Sequence, residues 1–152
     1  MPLTDLMAAV RTQVLPAVDR DTLLRTAAGL LACPQAGFDE LLASLREREQ
    51  LGSTAIGHGI AIPHGRAPHL DAPRGALLRL DHPIDFDGHG AQVDLVFAMA
   101  VPAHYTHQHL MLLSELAEQF SDEGFREALR HAPDAAALHA LLGGAPPRAT
   151  AA

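Results

Sequence analysis

One histidine in this chain occupies a setting that favours chemistry at its ring. Residues 51–66, LGSTAIGHGIAIPHGR, place His64 between Pro63 and Gly65. Because proline fixes φ and glycine carries no side chain, this pattern predicts an imidazole on a rigid, open turn. A neutral imidazole is a good nucleophile near neutral pH when an acceptor holds its other nitrogen as N–H. The alternative is that His64 only hydrogen-bonds the backbone, as most histidines in turns do.

A phosphoryl group carried on His64 would need donors directed at its negative oxygens. Arg48 lies at the end of a predicted helix just before the glycine-rich run, and its guanidinium matches phosphate oxygens. His109 shares a predicted helix face with core leucines and lies in the first turns, where helix N-termini attract anions. We therefore predict His64 as the phosphoryl acceptor and Arg48 and His109 as phosphate-binding residues. The alternatives are a solvated arginine paired with a neighbouring glutamate and an ordinary core histidine.

A histidine-rich segment, HYTHQH, raises the question of a metal site. It contains His104, His107 and His109. On a helix His107 and His109 face different directions, and carboxylate ligands would have to come from remote segments. We predict that His104 lies in a loop, that His107 is solvated, and that the protein has no metal site. A metal-dependent enzyme built on this segment is the competing interpretation.

Composition limits the classes of function. The chain has 152 residues, 48% of them apolar, and a formal net charge of −7, with arginine supplying every basic side chain. This is typical of one globular domain, and an acidic chain without a basic stripe argues against binding nucleic acid or anionic membranes. The lone Cys33 cannot form an internal disulfide, and we find neither a secretory signal nor an apolar run long enough for a membrane span. We expect a cytoplasmic protein.

Hydrophobic periodicity predicts helices in the first and last thirds of the chain. The first ends before Pro34 with Asp19 or Asp21 as its N-cap, and the second runs from about Phe38 to Glu49 with Phe38 in its apolar stripe. A third has Leu110, Leu113, Ala117 and Phe120 on one apolar line, widened by Leu112 and Leu116, and two short helices are predicted over 122–130 and 133–142.

The middle third predicts strands. Residues 56–62 alternate as a short, partly buried strand, and residues 75–80 and 93–101 are the two strongest candidates. The almost wholly apolar 93–101 fits a central strand, and residues 82–92 between these two predict a turn-rich connection. The order of helices, strands and helices predicts a single three-layer α/β/α domain.

The segment around His64 resembles the phosphorylation-site pattern of fructose/mannitol-type enzyme IIA domains of the bacterial phosphotransferase system. The matching residues are Glu49, Ile56, Gly57, Ile60, Ala61, Ile62, Pro63, His64 and Gly65. The resemblance continues through PIDFDG, VDLVFAMAVP and QHLMLLSELAEQF, over approximately residues 19–142. The spelling GSTAIG and the single domain are most similar to the nitrogen-regulatory enzyme IIA. His58 departs from the pattern, where an asparagine or other polar residue is expected.

The resemblance implies a mixed, about five-stranded sheet between helices. We expect a domain of residues 1–144, followed by a flexible tail of residues 145–152, which have no core-facing pattern. It implies that His64 accepts phosphate from a histidine phosphocarrier protein without any cofactor, and it assigns phosphate contacts to Arg48 and His109. Regulatory targets such as kinases or potassium transport proteins are then expected partners. The alternative is a fructose- or mannitol-specific enzyme IIA that passes phosphate to an enzyme IIB transport component.

Overall fold

The computed structural model describes residues 3–142. In chain order the elements are α1 (Leu3–Ala8), β1 (Arg11–Leu15), α2 (Arg20–Leu31), α3 (Phe38–Leu51), β2 (Ala55–Gly57), β3 (Ile60–Ala61), β4 (His64–Ala67), β5 (Arg74–Asp85), β6 (Gln92–Pro102), α4 (His107–Phe120), α5 (Glu123–Arg130) and α6 (Ala135–Leu142). No helix among these residues is long and apolar enough to cross a membrane.

The strands form one mixed sheet in the order β1-β5-β6-β3-β2, with β4 also paired to β6. Strand β6 is antiparallel to β5 and parallel to β3 and β4, so it has neighbours on both sides. Its interior position confirms the prediction of a central strand from its continuous apolar sequence. The predicted mixed sheet is also confirmed, with six strands where about five were expected.

Helices cover both faces of the sheet and bury two separate apolar clusters. The first cluster joins α2 and α3 to sheet residues such as Leu78 and Ala98. The second joins α1, α4, α5 and α6 to residues of the opposite face, among them Leu77 and Phe97. Because neighbouring residues of a strand point to opposite faces, β5 and β6 contribute to both clusters. This confirms the predicted three-layer α/β/α architecture.

A proline separates the two short strands that lead to and contain His64. Strands β3 and β4 follow the same edge of β6, with Ala61 opposite Val96 and His64 opposite Met99. Pro63 lies between them and has no N–H to donate, so the ladder is interrupted there and resumes at His64. The prediction of an isolated turn at His64 is therefore wrong, because the residue is the first of a short parallel strand.

Most helix predictions are confirmed, with corrections in the exposed positions. Asp19 is the N-cap of α2, since its side chain accepts from the backbone N–H of Thr22. Phe38, predicted in the buried stripe of α3, is 37% exposed because it is the first residue of the helix and lies outside both buried clusters. In α4 the buried line is His109, Leu112, Leu116 and Phe120, whereas Leu110 and Ala117 are exposed.

The strand predictions were less complete. Residues 56–62 are not one strand but the hairpin of β2 and β3, which turns at His58 with φ of 57°. Strand β1 was not predicted. Strand β5 continues to Asp85 after a register shift against β6, whereas its turn-rich composition predicted a loop there. Long-range pairing holds these segments extended where local sequence is ambiguous. The predicted tail, residues 145–152, lies outside the described residues.

Candidate functional site

The site forms where the end of α3, the start of β4 and the first turn of α4 meet. Gly65 allows α3 to approach the strand closely, because a Cβ at this position would lie 2.5 Å from Ser44 Oγ and 2.9 Å from Ser44 Cβ. The same hydroxyl accepts from the backbone N–H of Arg66 at 2.8 Å. This close packing brings the last turn of α3, with Arg48, beside the ring of His64.

The half-buried ring of His64 is held through both of its nitrogens. Nδ1 lies 2.8 Å from the carbonyl oxygen of Ile62, and Nε2 lies 3.2 Å from Nε of Arg48. A guanidinium only donates, so Nε2 must accept and the proton must be on Nδ1, which donates to the carbonyl. Burial chiefly lowers the pKa of His64 below its usual 6.5, and the nearby positive Arg48 and Arg66 lower it further. The neutral ring therefore offers the lone pair of Nε2 near pH 7.

Arg48 is placed where the sequence predicted it, in the last turn of α3. Besides contacting His64, it donates from Nη1 to the carbonyl oxygen of Gly52 at 2.8 Å, just past the end of the helix. It is therefore anchored to the backbone rather than paired with a neighbouring glutamate. The remaining donors of its rigid fork are suited to an anion next to Nε2 of His64.

His109 lies on the buried face of α4, as predicted, and its ring contacts the ring of His64. It is 7% exposed, and the two rings meet edge to face with centroids 5.1 Å apart. Burial is the main cause that lowers the pKa of His109 to about 4, and repulsion from His64 in its protonated form and from the positive Arg66 and Arg48 acts in the same direction. The ring is accordingly neutral near pH 7. Its Nε2 is buried without a hydrogen-bond partner among the described residues.

A further residue of the site, Arg66, was missed by the sequence analysis. Its Nη2 lies 3.0 Å from Nδ1 of His109, and its Nη1 donates to the carbonyl oxygens of Ala103, at 3.2 Å, and Tyr105. A signal was present in the sequence, because residues two apart on a strand share a face and Arg66 follows His64 by two. It was missed because the strand at residues 64–67 was not predicted.

An open cavity of about 950 Å³ gives access to the site. His64, Arg48, Arg66 and His109 line it together with apolar side chains and two glutamates of α3, Glu40 and Glu47. Two of its apolar lining residues are strongly exposed: Leu51 is 84% and Leu110 is 67% exposed. The basic side chains and exposed apolar side chains therefore line the same accessible surface.

The other histidines considered in the sequence lie away from this arrangement. His104 lies in the loop before α4, with its ring against Tyr105, and His107 is exposed at the start of the helix, both as predicted. His58 is exposed at the tip of the β2–β3 hairpin and does not line the cavity. Within residues 3–142, no group of three or more histidine, cysteine, aspartate or glutamate side chains is arranged to hold a metal ion.

The arrangement combines a nucleophile with a site for an anion. A neutral imidazole presents Nε2 to Arg48, a second imidazole with its partner Arg66 lies beside it, and the chain as a whole is acidic, with a formal net charge of −7. Local concentration of positive charge in an acidic protein selects for a negatively charged group at that point. Donors held in advance around a nucleophile are what phosphoryl transfer requires.

Comparison with known proteins identifies the family. Residues 9–144 match the sequence pattern of the family described as "Phosphoenolpyruvate-dependent sugar phosphotransferase system, EIIA 2". The chain belongs to this family. This enzyme IIA is 41% identical to the "Nitrogen regulatory protein" of Pseudomonas aeruginosa, with 84% of each chain covered. It is 38% identical to the protein of the same name from Bradyrhizobium diazoefficiens, with both chains covered completely.

Solved structures agree with this assignment. The nitrogen regulatory protein IIA-Ntr of Neisseria meningitidis superposes with a TM-score of 0.80 at 32% identity, covering 91% of this chain and 97% of the other. The mannitol IIA of Escherichia coli gives 0.67 at 20% identity, covering 86% and 95%, a likeness of fold alone. The resemblance seen in the sequence is confirmed, as is the prediction of a phosphotransferase-system IIA phosphocarrier of the nitrogen-regulatory type. The roles of His64, Arg48 and His109 stay predictions.

Proposed function

We propose that this enzyme IIA works through a phosphohistidine at Nε2 of His64, formed by transfer from a histidine phosphocarrier protein. The observation that carries the proposal is the pair of contacts made by the ring: the carbonyl oxygen of Ile62 accepts from Nδ1–H, so the lone pair is on Nε2, where it accepts from Arg48. Arg48 and His109 are assigned to bind the phosphoryl oxygens. The reaction needs no cofactor, because the phosphoryl group is exchanged between two imidazoles.

The proposed step exchanges one nitrogen–phosphorus bond for another. The lone pair of Nε2 attacks phosphorus in line, and the bond from phosphorus to the carrier's histidine breaks, with its electron pair returning to that imidazole. Nδ1 keeps its proton, and the carbonyl oxygen of Ile62, 2.8 Å away, stabilises the positive charge that the phosphorylated ring acquires. Arg48 releases Nε2 and donates to a phosphoryl oxygen instead, remaining anchored at Gly52.

The surface around His64 supports direct contact with a second protein. In-line transfer requires another histidine to approach, so the ring must lie at an accessible surface. The cavity is open, and the exposed Leu51 and Leu110 on its rim offer apolar area to a partner. Since the carrier must share a compartment with its acceptor, we place the protein in the cytoplasm.

For the regulatory role, phosphorylation would act as a switch of partner binding. A phosphoryl group adds about −1.5 to −2 charges, enough to reject an acidic partner surface. Kinases and potassium transport proteins are the proposed targets. Capture of partners with wild type and a His64→Asp mimic checks this, and identical partner sets would contradict the switch.

Phosphorylation of purified variants tests the central proposal. Wild type is incubated with radiolabelled phosphoenolpyruvate, the first enzyme of the system and its carrier, and label stable to base but labile to acid is counted. We expect one site per chain, complete loss of label in His64→Ala, and full label in the control His107→Gln, which alters an exposed histidine at the start of α4. Phosphorus NMR should assign the bond to Nε2. Full labelling of His64→Ala would refute the proposal.

A further inference from the structure

The guanidinium of Arg66 is held in place by hydrogen bonds to residues of other elements. Arg66 is an exposed residue on β4, yet its guanidinium folds onto the loop before α4, where Nη1 donates to the carbonyl oxygens of Ala103 and Tyr105. The other end of the same fork, Nη2, is then directed at Nδ1 of His109, 3.0 Å away. Because the guanidinium is planar and rigid, the contacts of Nη1 also restrict the position of Nη2.

This contact determines where His109 carries its proton. Arg66 can only donate, so Nδ1 of His109 must accept, and the single proton of the neutral ring must lie on Nε2. The ring is neutral near pH 7 because burial lowers its pKa to about 4. Without Arg66 the neutral ring would be free to hold its proton on either nitrogen. The contact thus selects one tautomer of two.

The selected proton has no acceptor within residues 3–142. Nε2 of His109 is buried and makes no hydrogen bond to any described residue, although a buried N–H normally has a partner. The ring packs edge to face against His64, with centroids 5.1 Å apart. A phosphoryl group on His64 would bring negative oxygens to this unpaired donor. The opposite tautomer would present a lone pair there and repel them.

We propose that Arg66 is a positioning residue for phosphoryl transfer, holding His109 in the tautomer that donates from Nε2 to the phosphoryl group on His64. The inference rests on the proposed function of His64 and adds a residue to it. Arg66 acts through His109, in the way that an outer partner fixes the tautomer of a metal-binding histidine. Its contacts to Ala103 and Tyr105 hold the guanidinium in place for this purpose.

Nitrogen NMR of the unphosphorylated protein tests the tautomer directly. With isotope-labelled histidine, His109 of wild type is expected to show protonated Nε2 and unprotonated Nδ1. Arg66→Met should give averaged signals from both tautomers, and Arg66→Lys should restore the single tautomer because an ammonium also donates. The control is Arg25→Met, which removes an equal charge from an exposed pair with Asp21. Protonated Nδ1 in wild type, or an unchanged tautomer in Arg66→Met, would overturn the inference.

Transfer kinetics test the consequence. Arg66→Met is expected to slow transfer from the phosphorylated carrier about 10-fold to 100-fold, and Arg66→Lys to stay within about threefold of wild type, as loss and retention of a charge-assisted hydrogen bond predict. In a His109→Ala background, Arg66→Met should cause no further slowing, because the residue it acts through is gone.

The outcomes separate this inference from the proposed function. If the two effects multiply, Arg66 acts on the phosphoryl group or the fold independently of His109, and the positioning role is wrong. If wild type is phosphorylated but Arg66→Met transfers at the wild-type rate, the inference alone fails. If His64→Ala remains labelled, the proposed function fails, whereas the tautomer measurement still decides whether Arg66 controls His109.

Discussion

At the scale of single residues, the site depends on two imidazoles kept neutral by their surroundings. Burial lowers the pKa of His64, and it lowers the pKa of His109 to about 4, with the positive side chains of Arg48 and Arg66 acting in the same direction. A neutral His64 has the lone pair needed to attack phosphorus, and a neutral His109 carries one proton whose position can be controlled. Protonation of His64 would remove the lone pair that the proposed attack on phosphorus needs, and protonation of His109 would place a proton on both of its nitrogens.

The lowered pKa of His109 predicts acid sensitivity. The unfolded chain binds a proton at this residue below about pH 6.5, whereas the folded chain does so only near pH 4, so stability falls as pH decreases between these values. From pH 7 to about pH 4.5, wild type should lose about 2–3 kcal/mol more unfolding free energy than His109→Gln. Urea denaturation at both pH values measures this.

Comparison of wild type with His109→Gln separates the titration of His109 from that of its neighbours. Arg48 of α3, Arg66 of β4 and His64 act on the ring, and Glu40 and Glu47 line the same cavity. All of them remain in both proteins, so their own titration cancels in the comparison to first order. His131→Gln, at an exposed histidine, is the control and should follow wild type. Equal losses in wild type and His109→Gln would show that His109 does not titrate with a lowered pKa.

At the scale of elements, the site is assembled by one close contact between a helix and a strand. Gly65 of β4 faces Ser44 and the backbone of α3 where no Cβ fits, while the alternate residues His64 and Arg66 face α4. One face of β4 therefore packs against α3, the helix that carries Arg48, and the other face carries the ring of His64. Pro63 directly precedes this short strand. Because it has no N–H to donate, it separates the pairing of β3 with β6 from the pairing of β4 with β6.

Substitution of Gly65 by alanine should disturb both stability and the site. The new Cβ would lie within 3 Å of the Ser44 side chain and 3.3 Å from the backbone nitrogen of Leu45, so α3 must shift outwards. We expect a cost of about 1–3 kcal/mol, typical of overpacking, together with slower phosphoryl transfer as Arg48 withdraws from His64. Denaturant unfolding and transfer rates are measured side by side.

The matched control is Gly29→Ala in α2, where a Cβ meets nothing within 4 Å. It should be neutral or stabilising by about 1 kcal/mol, since alanine is the better helix former. Ser44→Gly combined with Gly65→Ala removes the closest obstacle and should recover part of the transfer rate. Unchanged rates in Gly65→Ala would mean that the contact between α3 and β4 does not position Arg48.

At the scale of the whole molecule, a sheet with apolar faces on both sides forms the support for the site. The clusters built by α2 and α3 on one face and by α1, α4, α5 and α6 on the other bury most of β6 and the first half of β5. His64 and Arg66 extend from β4 beside this rigid centre. A site placed on such elements is held more accurately than one placed on loops.

The proposed domain boundary can be tested by truncation. The buried clusters of residues 3–142 extend to Leu142, and residues 145–152 have no core-facing pattern in sequence. A chain without residues 145–152 is expected to unfold within about 2 °C of the full chain and to accept phosphate at the same rate. Calorimetry and the labelling assay measure both. Truncation after residue 136, which removes most of α6 with Leu138 and Leu142, should by contrast destabilise the protein strongly.

The sequence by itself determined the layered architecture, and it indicated His64 as the residue at which we propose the chemistry. Continuous apolar character identified β6, helical periodicity with Asp19 as N-cap identified α2, and the spacing of Pro63, His64 and Gly65 predicted where chemistry would occur. These features are local, or repeat with the period of the element, and so they can be recognised without knowledge of the partner segments. The face of α4 that carries His109 was predictable for the same reason.

Only the tertiary structure decided the rest. Strand β1, the hairpin at His58 and the short β4 are extended because other strands pair with them, and pairing partners distant in sequence leave little local signal. Arg66 entered the site only once β4 placed it on the face of His64. The tautomers of both histidines are likewise set by donors and acceptors that folding brings within about 3 Å of them. Sequence fixes which groups are present, whereas hydrogen-bond geometry across elements decides what each group can do.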